Sequence, residues 1–359
     1  MSDKAEAFGS LIGPPPDPLP YKQLHGPGKS NGCCMDCCGA LPAPIDPKAI
    51  VADGGKFVTL PDGRILEYFV YGSEEKDARV LIQLAGTGGT GKYFTQGDIP
   101  STCLKLNIKG ISITYPGHAY SSVNVGRRVI DFVDDVDEVL KVENVDKFMI
   151  EGSSYGTPHA MAIAWYYSQR NRILAMHLHV PYLNNEVARE VTPDTLVAKS
   201  PVGGTTAGLQ ESCCAFCCTG FMYCCCIGVC GSCMMSDQDY PGSGKLALDD
   251  VRRSAVHSYY GIAFNNLDEH CSENWGFDLR EIKLEGPSQV IVSYAGDDEA
   301  CPPEHGKWLG TFFKAQVNTK KVGVGHLTFA TSLLRGEFID QLVKAVTLSE
   351  SQTEETAAE

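Results

Sequence analysis

Five consecutive residues, Gly152-Ser153-Ser154-Tyr155-Gly156, restrict the fold of this 359-residue chain more than any other feature. The apolar run at 145–150 reads as a short buried strand, and 160–166 reads as a helix. A G-x-S-x-G pentapeptide joining strand to helix needs a turn so tight that its central residue occupies strained backbone space. Side chains two positions to either side would collide in such a turn, so glycine stands at both. The central hydroxyl then clears the sheet, and the N–H of the next residue can meet a developing oxyanion. Ser154 is accordingly the candidate nucleophile, and the N–H of Tyr155 a candidate oxyanion donor.

The rest of the chain offers the sheet that such a turn requires. Residues 56–60 and 64–71 flank an Asp62-Gly63 turn as a hairpin. Residues 80–84 and 110–115 are continuous apolar runs suited to central parallel strands. Periodicity predicts a helix with an acidic outer face over 129–140 and strands over 173–180 and 289–294. A helix near 303–314, a strand ending at Val322 and a final helix over 327–345 complete the pattern. The alternation predicts an α/β fold: an open, mostly parallel sheet flanked by helices, with an irregular or helical insertion after the sixth strand. The expected organisation is a disordered arm containing Pro, Gly and Cys (1–51), a core in two parts (52–182 and 287–346), a Cys-rich insertion (183–286) and a disordered acidic tail (347–359).

Charge narrows the partners. With 44 acidic against 30 basic residues the net charge is −14, which disfavours nucleic acid and simple docking on anionic lipid. The start, Met1-Ser2-Asp3-Lys4, lacks the basic and apolar regions of a secretory signal, and Ser2 is incompatible with N-myristoylation, so a cytoplasmic protein is expected.

A serine hydroxyl needs a base, and the base needs an orienting carboxylate. In sites of this kind the chain order is serine, acid, histidine. Here Asp297-Asp298-Glu299 follows the late strand and His326 follows the last one. Together these motifs resemble the α/β-hydrolase superfamily over 52–182 and 287–346. The resemblance rests on the pentapeptide, a Tyr115-Pro116-Gly117-His118-Ala119-Tyr120-Ser121 loop similar to the family's x-P-G-x-G-x-S, an acid loop of form D-x-x-x-P ending at Pro302, and Gly325-His326-Leu327. It implies Asp298 as the triad acid, with Asp297 and Glu299 still open, His326 as the base, and a cap formed by 183–286. Many members carry His-Gly after the third strand, where this chain has Ala85-Gly86-Thr87-Gly88-Gly89. Such a glycine-rich loop can still turn N–H groups inward, so Thr87 or Gly88 is the expected second oxyanion donor, an interaction worth about 3 kcal/mol in the transition state. His118 is expected to pack locally.

The implied function is a serine hydrolase cleaving an ester or thioester, of an acyl or lipid substrate, through an acyl-enzyme, with no cofactor and no resident metal. Two alternatives stay open: a proline-type aminopeptidase on the same fold, and a non-catalytic membrane-associated scaffold. A nucleotide-binding rival arises because residues 86–92 fit G-x-x-x-x-G-K, although Tyr93 stands where Ser or Thr would hold Mg²⁺.

Sixteen cysteines are the compositional oddity. One cluster is Cys33, Cys34, Cys37 and Cys38; the other begins with Cys213, Cys214, Cys217 and Cys218. S-acylation at such pairs would attach the chain peripherally to a membrane surface, each buried CH₂ adding roughly 0.8 kcal/mol. Packing as small hydrophobes, thiolate metal binding and disulfides are the alternatives. Residues 212–236 carry no charge, but Gly and Cys dominate there, so a transmembrane span is not expected.

Overall fold

A computed structural model describes residues 45–122, 124, 127–191, 246, 249–250, 253–254, 275–298, 300–320 and 325–358. In chain order its main elements are α1 (Pro47–Ala52), β1 (Lys56–Thr59), β2 (Ile65–Gly72), β3 (Arg79–Leu84), a 3-10 turn (Gly91–Thr95), α2 (Ile99–Lys105), β4 (Ile108–Ile113), α3 (Phe132–Val142), β5 (Phe148–Ser153) and α4 (Gly156–Ser168). They continue with β6 (Ile173–His179), α5 (Asn185–Val191), β7 (Val290–Ala295), α6 (Pro303–Phe312), β8 (Gln316–Lys320), α7 (His326–Thr331) and α8 (Glu337–Ala358). The strands form one sheet in the order β1-β2-β4-β3-β5-β6-β7-β8. β2 is antiparallel to β1 and β4, and all other neighbours are parallel. This is the mostly parallel α/β sheet that the sequence predicts; among the described residues no strand falls between β6 and β7. Both cysteine clusters and most of 183–286 lie outside the described residues. Among the described residues, no helix is long and apolar enough to cross a membrane.

The central strands are apolar throughout because both of their faces are covered. With a side-chain period of two, Phe148 and Ile150 of β5 join a core with Phe132 and Val136 of α3, Ile163 of α4 and Leu309 of α6. Met149, between them, faces the other core, with Cys103 of α2, Phe329 of α7, and Phe338 and Leu342 of α8.

A row of polar side chains crosses this second face. Tyr71 Oη donates to Gln83, whose Nε2 donates to Glu151. Glu151 Oε1 lies 2.7 Å from His177 Nδ1, and His177 Nε2 lies 2.8 Å from Ser293 Oγ. Asn318 Nδ2 donates to Ser293 Oγ at 3.2 Å and to Gln341 Oε1 of α8 at 2.7 Å. Phe338 stacks on the His177 ring at 4.9 Å. The row thus links β2, β3, β5, β6, β7 and β8, and Gln83, Glu151, His177 and Ser293 are fully buried.

Both ends of the chain depart from expectation. Within the arm predicted to be disordered as far as residue 51, Asp46 accepts the Lys48 N–H, Pro47 opens α1, and Ile45 and Ile50 are buried against Phe57 and Ile65. The predicted helix over 327–345 is two helices, separated by a 3-10 turn (Ser332–Arg335) and by Gly336 at φ +71°. α8 then continues to Ala358, through the stretch expected to be a disordered tail. Phe338, Ile339, Leu342, Ala345 and Val346 anchor its first half on the sheet, and the Glu, Gln and Ala beyond are good helix formers.

Candidate active site

β5 passes into α4 through Ser154, held at φ +50°. A Cβ at Gly152 would stand 2.4 Å from the Gly156 carbonyl oxygen, and one at Gly156 would stand 2.4 Å from the Leu84 carbonyl oxygen. The backbone is that close on both sides of the turn, so both positions exclude any side chain. The Ser154 N–H donates to the His179 carbonyl at 2.9 Å, and its own carbonyl accepts from Thr157 N–H at 2.9 Å and Thr157 Oγ1 at 2.7 Å. These bonds tie the strained residue to β6 and α4, as a conformation costing about 1–3 kcal/mol requires.

Asp298 lies just past the end of β7. Its Oδ1 accepts the N–H groups of Ala300 at 2.9 Å and Cys301 at 2.7 Å, which aims Oδ2 at His326 Nδ1, 2.7 Å away. His326 opens α7, and its Nε2 lies 2.9 Å from Ser154 Oγ. α7 is fixed in turn by His179 Nε2, which bonds the Phe329 carbonyl at 2.8 Å. Ser154, Asp298 and His326 therefore meet outside the carboxyl ends of β5, β7 and β8, where open α/β sheets form their crevice. It is Asp298, rather than Asp297, that bonds the imidazole; Glu299 lies outside the described residues. This pattern places the imidazole proton on Nδ1 and leaves Nε2 to accept the serine proton.

Burial opposes protonation of His326, but the neighbouring Cys301 sulfur and the Asp298 carboxylate outweigh it and raise the pKa above the ordinary imidazole value. The Cys301 sulfur lies 4.0 Å from Ser154 Oγ. Asp298, Cys301 and His326 each present a ligand atom within 4.8 Å of the others, so a thiophilic cation could be held there only by competing with the Asp298–His326 bond.

Tyr155 begins the turn into α4, so its N–H lies at a helix N-terminus, where backbone dipoles favour negative charge. Its ring is buried against Tyr115, with centroids 5.0 Å apart. Across from it, Gly89 N–H donates to the Gly86 carbonyl at 2.9 Å, closing a turn over 86–89 with Gly88 at φ +73°. A Cβ at Gly86 would stand 3.4 Å from Ser154 Cβ, so this turn lies beside the nucleophile. Within it Gly88 is buried and Thr87 exposed.

The same loop carries contacts that the sequence does not announce. Asp250 Oδ2 accepts the Thr90 N–H at 2.7 Å, and Asp250 Oδ1 accepts the Thr90 hydroxyl at 2.6 Å. Burial raises the Asp250 carboxyl to about 7, against the Thr90 bonds and the Arg253 charge. Arg253 donates to both oxygens of the buried Glu67, at 2.9 and 2.7 Å, and pairs with Asp53. Lys92, the residue a phosphate-binding loop would direct to phosphate, also pairs with Asp53, and the loop leads into a single 3-10 turn rather than an α-helix. Neither feature suits the rival phosphate-loop reading. His118 packs as expected: burial lowers its pKa to about 4, and its ring lies edge-on to Tyr115.

No protein-family model and no curated protein matches the sequence. Solved structures do. An α/β-hydrolase enzyme from a Medee basin deep-sea metagenome library superposes with a TM-score of 0.56 at 16% identity, over 79% of this chain and 97% of its own. The enol-lactonase from Burkholderia xenovorans LB400 gives 0.53 at 16%, over 80% and 99%. A thermophilic esterase from Thermogutta terrifontis gives 0.54 at 14%, over 81% and 98%. Identities this low speak for architecture alone, and what they establish is that the chain has the α/β-hydrolase fold.

Proposed function

We propose that this protein is a serine hydrolase that cleaves an ester or thioester of an acyl or lipid substrate. The observation that carries this is the unbroken sequence of bonds from Ser154 Oγ to His326 Nε2 at 2.9 Å and from His326 Nδ1 to Asp298 Oδ2 at 2.7 Å. Ser154 attacks the carbonyl carbon as His326 Nε2 takes its proton, and the oxyanion accepts the N–H of Tyr155 and that of Gly88 or Thr87. Collapse releases the alcohol or thiol, which takes the proton from His326, and leaves Ser154 acylated. Water attacks the acyl-enzyme by the same route, yielding the carboxylic acid and restoring the serine. Esterases and a lactonase among the neighbours in fold are consistent with this chemistry.

Intact-mass analysis after fluorophosphonate treatment tests it. The wild type is expected to gain one adduct and Ser154→Ala none, with ester hydrolysis falling on the order of 10⁴-fold or more. A folded wild-type protein that takes no adduct overturns the proposal. Hydrolysis rates across p-nitrophenyl esters and acyl thioesters of increasing length would then define the acyl group.

A further inference from the structure

Three of the four residues in the turn beside Ser154 are glycine, Gly86, Gly88 and Gly89. Glycine loses the most conformational freedom on being ordered, so a turn built this way does not hold its N–H groups in place by itself. Oxyanion stabilisation depends on donors already fixed before charge develops. Something outside the turn has to fix it.

We propose that Asp250 is a positioning residue that holds this oxyanion turn, acting through Thr90 from the segment between β6 and β7. The proposal rests on the serine-hydrolase reading above. Asp250 is 3% exposed, and both of its carboxylate oxygens are committed to Thr90, the residue directly after the turn. The carboxylate also lies against the turn itself: a Cβ on Gly89 would come 3.5 Å from Asp250 Oδ2 and 2.7 Å from Ala85 Cβ. On the opposite side, Tyr115 Oη donates to the Ala85 carbonyl at 2.8 Å, and Gly91 N–H donates to Thr114 Oγ1 at 3.0 Å. Among the described residues the turn is thus gripped at Ala85 and Gly91 from the chain just past β4, and at Thr90 from the segment between β6 and β7.

Asp250 is itself anchored. Arg253, three residues on and also helical, donates to Glu67 of β2 and lies 3.3 Å from Thr90 Oγ1, and the Ser254 carbonyl accepts the Ala119 N–H at 2.7 Å. A bidentate carboxylate on one backbone N–H and one hydroxyl could instead serve merely to staple this segment to the core. The two roles differ in what they do to the reaction. A staple changes stability; a positioning residue changes the rate from the bound state.

The test is the kinetics of fluorophosphonate inactivation in the full chain, resolved into the affinity of the reagent and the rate constant at saturation, beside thermal unfolding. Asp250→Asn and Thr90→Val are expected to lower the saturating rate constant by about tenfold or more, with affinity changed less than about twofold, because the phosphoryl oxygen occupies the oxyanion position. Thr90→Ser, which keeps the hydroxyl, should restore the rate. Folded Asp250→Asn and Thr90→Val proteins that melt lower yet react at the wild-type saturating rate overturn the proposal. Should Asp250→Asn fail to fold, Thr90→Val decides. A wild-type protein that takes no label overturns the hydrolase reading, and this inference with it; labelling that is insensitive to both substitutions overturns this inference alone.

Discussion

Cys301 occupies an unusual place at the scale of single residues. Its N–H helps aim Asp298, and its sulfur lies beside both Ser154 and His326. Only the neutral imidazole can take the serine proton, so activity rises as pH passes upward through the His326 pKa. Because Cys301 and Asp298 raise that pKa against burial, the rising limb of the pH–rate profile is expected above the ordinary value of 6.5. Fluorophosphonate inactivation rates across a pH series check this; a wild-type limb at or below the ordinary imidazole value contradicts it.

The decisive element is the passage from β5 to α4, where glycine is fixed by distance rather than by flexibility. In Gly152→Ala the new methyl would meet the Gly156 carbonyl oxygen at 2.4 Å and Ala160 Cβ at 2.8 Å. Neither can yield without moving α4, so urea unfolding should show a loss of about 3 kcal/mol or more. Such local sterics are why this element can be read from five residues. The strands follow for a similar reason, since an apolar run buried on both faces is visible in any short window. Other features turn on partners far along the chain. Thr90 and Asp250 are 160 residues apart, and Asp53 and Arg253 are 200 apart, so no periodicity near Asp250 marks it. The aspartate run 297–298 shows the same limit: its sequence offers neighbouring carboxyl groups, and only the turn made by the Ala300 and Cys301 N–H groups selects which one meets His326. α1 carried a readable cap in Asp46-Pro47, but with Ile45 and Ile50 as its only large anchors the apolar pattern was too short to stand out.

Across the whole molecule, the row from Tyr71 to Gln341 makes the sheet depend on polar pairing inside an otherwise apolar face. Each buried group left without its partner costs about 1–3 kcal/mol. Glu151→Ala deprives both Gln83 Nε2 and His177 Nδ1 of their partner at once, and is expected to lower stability by about 3 kcal/mol. Urea midpoints measured beside Met149→Leu, an apolar exchange on the same face, would separate this from simple loss of packing; equal midpoints would contradict the expectation. The row also bears on how the chain is made. His177 leaves the ribosome with β6, whereas Ser293, the hydroxyl it needs, arrives with β7 after residues 180–289 have been synthesised. Until then Nδ1 of that imidazole already has Glu151 of β5, but Nε2 faces an empty lane in the half-built sheet, where water stands in for Ser293. The two halves of the core are translated far apart in time, but they can become dry only together.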